Sequence, residues 1–129
     1  MSPHASRPRR MTLLATTLLA SALLLIGCNQ CRALEERICS DLGADHCAVW
    51  KELGGVDNVM KAGRGSGRAC GQIASTPAAY DGILLGQRGL VLGELMKRAS
   101  AKGDKAEVDR LRKQMDENAA RIRSSIPGR

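Results

Sequence analysis

Cys31, Cys39, Cys47 and Cys70 constrain the fold of this chain more than any other feature, because cross-links among them would fix which parts of the N-terminal half lie together. Four cysteines can pair in three ways. If residues 31–42 form a helix, Cys31 and Cys39 lie eight residues apart, about 12 Å along the axis. A disulfide needs Cα atoms within roughly 7 Å, so that pair is disfavoured. Cys39 and Cys47 stand four residues either side of Gly43, as facing positions in a helical hairpin do. The spacing therefore favours Cys39 with Cys47 and Cys31 with Cys70, and the runner-up is Cys31 with Cys47 and Cys39 with Cys70. A zinc site built from these cysteines and His46 fits poorly. Structural zinc ligands come at spacings such as C-x₂₋₄-C, and the intervals here are 8, 8 and 23 residues. Asp45-His46-Cys47 sets a base beside a thiol, but neighbours on a helix point about 100° apart. His46 reads instead as a surface residue in a helix's first turn.

The N-terminus determines the setting in which those cysteines act. Arg7, Arg9 and Arg10 supply a positive segment, and Met11 to Ile26 is a 16-residue run with no ionisable side chain. That run is shorter than the roughly 20 residues of a membrane span, and with small Gly27 at its end it has the parts of a secretory signal peptide. The closing Leu25-Ile26-Gly27-Cys28 resembles the lipobox of bacterial lipoproteins. That resemblance implies a diacylglycerol on the Cys28 thiol, cleavage before Cys28 and acylation of the new amino terminus. It places the mature chain on the exported side of a bacterial cell envelope, held to the membrane by its lipids. Asn29 follows the lipidation site where many inner-membrane lipoproteins of enteric bacteria carry Asp, which favours the outer membrane. The Arg9-Arg10 pair suggests a twin-arginine signal, but Met11-Thr12-Leu13 stands where Phe-Leu usually follows, so the general secretory route is preferred. In an exported chain an even cysteine set points to two disulfides.

Removing the leader, residues 1–27, leaves 102 residues, enough for one small domain over 28–129. The remaining 17 Lys and Arg against 13 Asp and Glu give a mild +4 with His46 neutral. The basic residues are spread among acids, as on solvated helix faces. Aromatic rings are confined to Trp50 and Tyr80. Readers of single-stranded nucleic acid stack bases on aromatic side chains, so nucleic acid is not an expected partner.

Caps and punctuation outline an all-α domain: a disulfide-bound N-terminal helical pair and a C-terminal antiparallel helical hairpin over 76–124. Residues 31–42 place Leu34, Ile38 and Leu42 at helical spacing, and Gly43 suits the left-handed conformation that ends a helix. Asp45 is expected to cap a second helix through Leu53, with Cys47 and Trp50 on one face. Gly54-Gly55 breaks it, and Val56 to Ala62 forms a further short helix. Gly63-Arg64-Gly65-Ser66-Gly67 reads as a flexible connector, since three glycines in five residues make ordering costly and no strand or Gly-Lys-Ser/Thr ending marks a phosphate loop. A helical turn over 68–74 would then present Cys70 to the first hairpin.

Thr76-Pro77 starts a long helix with the hydroxyl as cap and proline at the first position. Tyr80, Ile83, Leu84, Val91, Leu95 and Ala99 fall on one side of it. Gly82, Gly86, Gly89 and Gly93 each cost up to about 1 kcal/mol in a helix, so they call for close approach of another backbone. A β-hairpin turning at 86–89 is the alternative. Gly103-Asp104 turns the chain, and Asp104 with Glu107 resembles a capping box. The last helix carries Val108, Leu111, Met115, Ala119 and Ile122 at steps of three and four. Lys105–Asp109, Asp109–Lys113, Lys113–Glu117 and Glu117–Arg121 are candidate i,i+4 ion pairs.

Catalytic motifs are lacking: one histidine remains after the leader, there is no G-x-S-x-G or H-E-x-x-H, and Glu35-Glu36 and Asp116-Glu117 are adjacent and splayed. The expectation is a non-enzymatic lipoprotein, without cofactor or metal, that docks a protein partner or steadies an assembly at the envelope membrane. A redox or metal-handling module using Cys31, Cys39, Cys47 and Cys70 is the first alternative. A cell-wall or lipid-surface binder acting through its basic residues is the second.

Overall fold

A computed structural model describes residues 29–62 and 67–128. Residues 1–28, 63–66 and 129 lie outside the described residues, and with them the expected leader, the expected lipidation site Cys28 and most of the glycine-rich connector. Among the described residues the chain is all-α. The helices are α1 (29–42), α2 (Ala44–Glu52), α3 (Gly55–Ala62), α4 (Gly67–Ser75), α5 (Pro77–Ala101) and α6 (Lys105–Ser125). No helix among them is long and apolar enough to cross a membrane.

The segment that admitted a β-hairpin is helix, and α5 runs 25 residues, roughly 37 Å at the helical rise. It serves both cores. Leu34, Ile38 and Leu42 of α1, Val49 and Trp50 of α2, Val59 of α3 and Cys70 of α4 meet Tyr80 and Val91 of α5 in the first. Leu92 and Ala99 of α5 meet Leu111 of α6 in the second, flanked by Met96, Val108 and Met115. Leu95 touches both. The apolar spacing read in α1, α3, α5 and α6 is thus the packing surface, except towards the end of α6, where Ala119 belongs to neither core and Ile122 stays 38 % exposed.

Local signals set the boundaries, though not always by the expected atoms. Gly43 separates α1 from α2 at φ 87° and ψ 158°. This is a positive-φ conformation with extended ψ that only glycine adopts freely, rather than the left-handed helical one expected. Gly43, not Asp45, is the N-cap of α2, which has no side-chain cap, and Asp45 lies inside the first turn. Thr76 holds the N-cap position before Pro77, yet its hydroxyl makes no capping bond. The turn from α5 to α6 is a Schellman motif: Gly103, at φ 70°, donates from its N–H to the Ser100 carbonyl, and the Asp104 N–H reaches that of Ala99. Asp104 Oδ1 then accepts from the Glu107 N–H at 3.0 Å. The box is half made, because the Glu107 carboxylate turns to Arg110 instead.

Of the four ion pairs expected along α6, the described residues show only Lys105–Asp109, at 3.0 Å. Asp109 takes Arg112 as its second partner. These pairs are exposed and contribute little to stability.

The helical glycines of α5 correct a second expectation. A Cβ added at Gly82, Gly86 or Gly93 would meet nothing within 4 Å, and only Gly89 faces a neighbour, the Asn118 Nδ2 at 3.4 Å. No backbone packs on the other three, so their cost in helix propensity is not offset. Gly82→Ala and Gly86→Ala, at exposed positions, are expected to raise stability by about 0.5–1 kcal/mol each in thermal melts. Gly43→Ala is expected to lower it by about 1–3 kcal/mol, although its Cβ would have open space.

Candidate functional site

The two disulfides are Cys31–Cys70, with Cα atoms 5.0 Å apart, and Cys39–Cys47, at 4.8 Å. These are the favoured pairs. Both arise because α1 presents Cys31 and Cys39 two turns apart, one towards α4 and the other across the Gly43 turn towards α2. The Cys47 sulfur is therefore bonded, and Asp45-His46-Cys47 supplies no free thiol for a nucleophile. Among the described residues no three His, Cys, Asp or Glu side chains come together as a metal site.

Besides the disulfides, Tyr80, which is 2 % exposed, joins α5 to α1. The Tyr80 hydroxyl donates to Asp41 Oδ2, and the Arg37 guanidinium lies 3.7 Å from the ring centroid. Arg37 also donates to the Ala74 carbonyl, joining α4 to the group. Burial, reinforced by the Asp41 carboxylate, raises the Tyr80 pKa above its ordinary value of 10.0. The unfolded chain loses this proton near pH 10 while the folded one retains it, so stability is fully present below pH 10 and declines above it. Urea midpoints measured from pH 8 to pH 11 are expected to fall across the upper end, and Tyr80→Phe to remove that decline.

A cleft opens where the corner between α1 and α2 meets the hairpin. Leu42 of α1 and His46 of α2 form one wall, Arg88 and Leu92 of α5 another, and Gln114, Glu117, Asn118 and Arg121 of α6 the third. Its volume is about 250 Å³. A second groove shares Leu42 and His46 and continues past Asp45 to Glu107 and Arg110. His46, in the first turn of α2, is half-buried between the two.

The cleft's α6 wall carries the feature hardest to reconcile with simple packing. Asn118 is 5 % exposed, and its Nδ2 donates to the Leu85 carbonyl at 2.9 Å, which fixes the orientation of the amide. Its Oδ1 is buried without a protein donor, and so is Oε1 of Gln114 one turn earlier. A buried polar oxygen without a partner costs about 1–3 kcal/mol. Glu117 and Arg121, expected to pair with each other, both line the cleft with no ion pair between them. Arg88 is anchored by a bond from Nη2 to the Asp41 carbonyl at 3.1 Å.

None of Gln114, Asn118 or Gln87 was singled out in the sequence. Asn118 carried a usable signal: it lies seven residues after Leu111, on the apolar stripe of α6, where a polar side chain needs a reason. Gln87 is explained within the protein, since its Oε1 accepts from the Trp50 Nε1–H at 2.9 Å in the core. Comparisons with protein-family models, with curated proteins and with solved structures find no match to this chain.

Proposed function

We propose that the chain is a lipid-anchored component of a bacterial cell envelope, a non-enzymatic helical domain that docks a protein partner or steadies an assembly at the membrane. The observation that carries this reading is the position of the Cys31–Cys70 bridge. It falls three residues after the lipobox cysteine Cys28 and ties the beginning of α1 to α4. Disulfides persist in oxidising, exported compartments, which is where a lipobox leader would deliver the chain. Three residues span at most about 10 Å. Acyl chains on Cys28 would therefore hold the domain directly on the bilayer, with α1 and α4 at the membrane end, rather than on a long tether. Two or three acyl chains bury enough methylene groups, at about 0.8 kcal/mol each, to make such an anchor stable.

Metabolic palmitate labelling of the native host and of a Cys28→Ser strain tests the anchor. Label on the wild-type chain, and in the variant its loss together with retention of the uncleaved leader, are the expected results. A full-length, unlabelled polypeptide among soluble cytosolic proteins would refute the proposal. Cross-linking in intact envelopes tests the docking role, with a reproducible protein adduct as the expected outcome.

A further inference from the structure

We propose that the cleft beneath the α1–α2 corner binds a small α-ammonium compound, a free amino acid or the amino end of a short peptide. Such binding does not depend on lipid anchoring. Gln114, Glu117 and Asn118 follow one another at steps of three and one on α6 and place three oxygen-bearing side chains along one wall. Two of them, Gln114 Oε1 and Asn118 Oδ1, are buried with no donor from the protein. A primary ammonium has three N–H donors and no acceptor, the complement of that wall. Asn118 cannot relieve itself by flipping its amide, because Nδ2 is committed to the Leu85 carbonyl.

The remaining lining defines the rest of the ligand. Arg121, one turn beyond Glu117, and Arg88 across from it on α5 place two guanidinium groups at the same cleft. They suit a carboxylate or carbonyl oxygen adjoining the ammonium. The failure of Glu117 and Arg121 to pair keeps one charge of each sign available to opposite ends of such a ligand. Leu42 and Leu92 supply an apolar floor for a small side chain. The volume of about 250 Å³ falls below the roughly 300–1,000 Å³ of sites for drug-sized molecules, which sets the ligand at amino-acid or short-peptide size. The two orphaned oxygens expose less than 1 Å² each. An ammonium therefore reaches them only when side chains of the cleft wall swing aside, a motion that exposed side chains make in picoseconds to nanoseconds.

Calorimetric and NMR titration of the disulfide-intact protein with alanine, trialanine and N-acetylalanine tests the proposal. Saturable binding of alanine, with resonance shifts at His46, Gln114 and Asn118, is expected, and N-acetylalanine should bind at least tenfold more weakly. Binding of trialanine as well identifies a peptide amino end as a ligand, and binding of alanine alone identifies a free amino acid. Asn118→Leu should weaken alanine binding at least tenfold. Arg121→Gln, at an exposed position, should weaken it too and keeps the test decisive if Asn118→Leu does not fold. No saturable binding of either amine, equal binding of N-acetylalanine, or unchanged affinity in Arg121→Gln would overturn the proposal and leave the cleft a solvent-filled crevice.

Discussion

Replacing Cys31 and Cys70 together by serine is expected to lower stability by about 4 kcal/mol, against about 2.5 kcal/mol for Cys39 and Cys47. The difference follows from loop length. The first bridge spans a sequence separation of 39 and the second a separation of 8, and the chain-entropy cost removed from the unfolded state grows with the logarithm of the closed loop. Native context widens the gap. Residues 39 and 47 are already brought together by the Gly43 turn, whereas α4 reaches α1 only after α2, α3 and the connector. A domain of this size has about 5–15 kcal/mol in total, so reducing both bridges should remove a large part of its stability. Urea titrations followed by the fluorescence of the single tryptophan, Trp50, with and without thiol reductant, give the comparison directly. A loss at the Cys39–Cys47 bridge equal to or larger than that at Cys31–Cys70 would contradict the entropic account.

How much of this could be read beforehand depended on whether the deciding contact was local. The turn from α5 to α6 was legible because Gly103 and Asp104 act within a few residues of themselves, and so were the limits of α6. The favoured disulfide pairs were also within reach, since the rise of a helix disfavoured Cys31 with Cys39 and the symmetry about Gly43 brought Cys39 to Cys47. Capping was legible by position but not by atom. Asp45 and Thr76 have the right chemistry, yet the chain enters α2 through a conformation open only to Gly43, and Thr76 leaves the work to Pro77.

What stayed hidden was everything set by which helix faces which. The glycines of α5 looked like a contact surface because helix propensity penalises them, but propensity does not say where a neighbour lies, and α6 approaches only Gly89. The cleft was invisible for the same reason. Its walls come from α1, α2, α5 and α6, and no spacing in the sequence announces that Arg88 and Asn118 share a cavity. Ion pairs fared like the glycines: Glu107 has both an expected cap and a nearby arginine, and the free energies separating such exposed choices are a few tenths of a kcal/mol.

Trp50→Ala is expected to cost about 3–5 kcal/mol, comparable with the loss of the longer disulfide. The side chain is 1 % exposed and lies among Leu34, Ile38, Val49 and Val59 in the first core, the place where α1, α2, α3 and α5 meet. Truncation would leave a cavity that four helices, two of them pinned by disulfides, cannot easily close. It would also strip the indole N–H from Gln87 Oε1, a buried acceptor whose protein donor is the Trp50 indole. Trp50→Phe separates the two effects, since it restores most of the apolar volume and still orphans the Gln87 oxygen. Its expected cost is about 1–3 kcal/mol. Adding Gln87→Leu to Trp50→Phe should recover part of that loss, because an apolar pair replaces a half-broken polar one. Thermal and urea unfolding of the three variants checks the order: the alanine variant weakest, the phenylalanine variant intermediate, and the double variant closer to wild type than phenylalanine alone. A double variant no more stable than Trp50→Phe would mean that the lost indole volume, rather than the unpaired amide oxygen, sets the stability of this core.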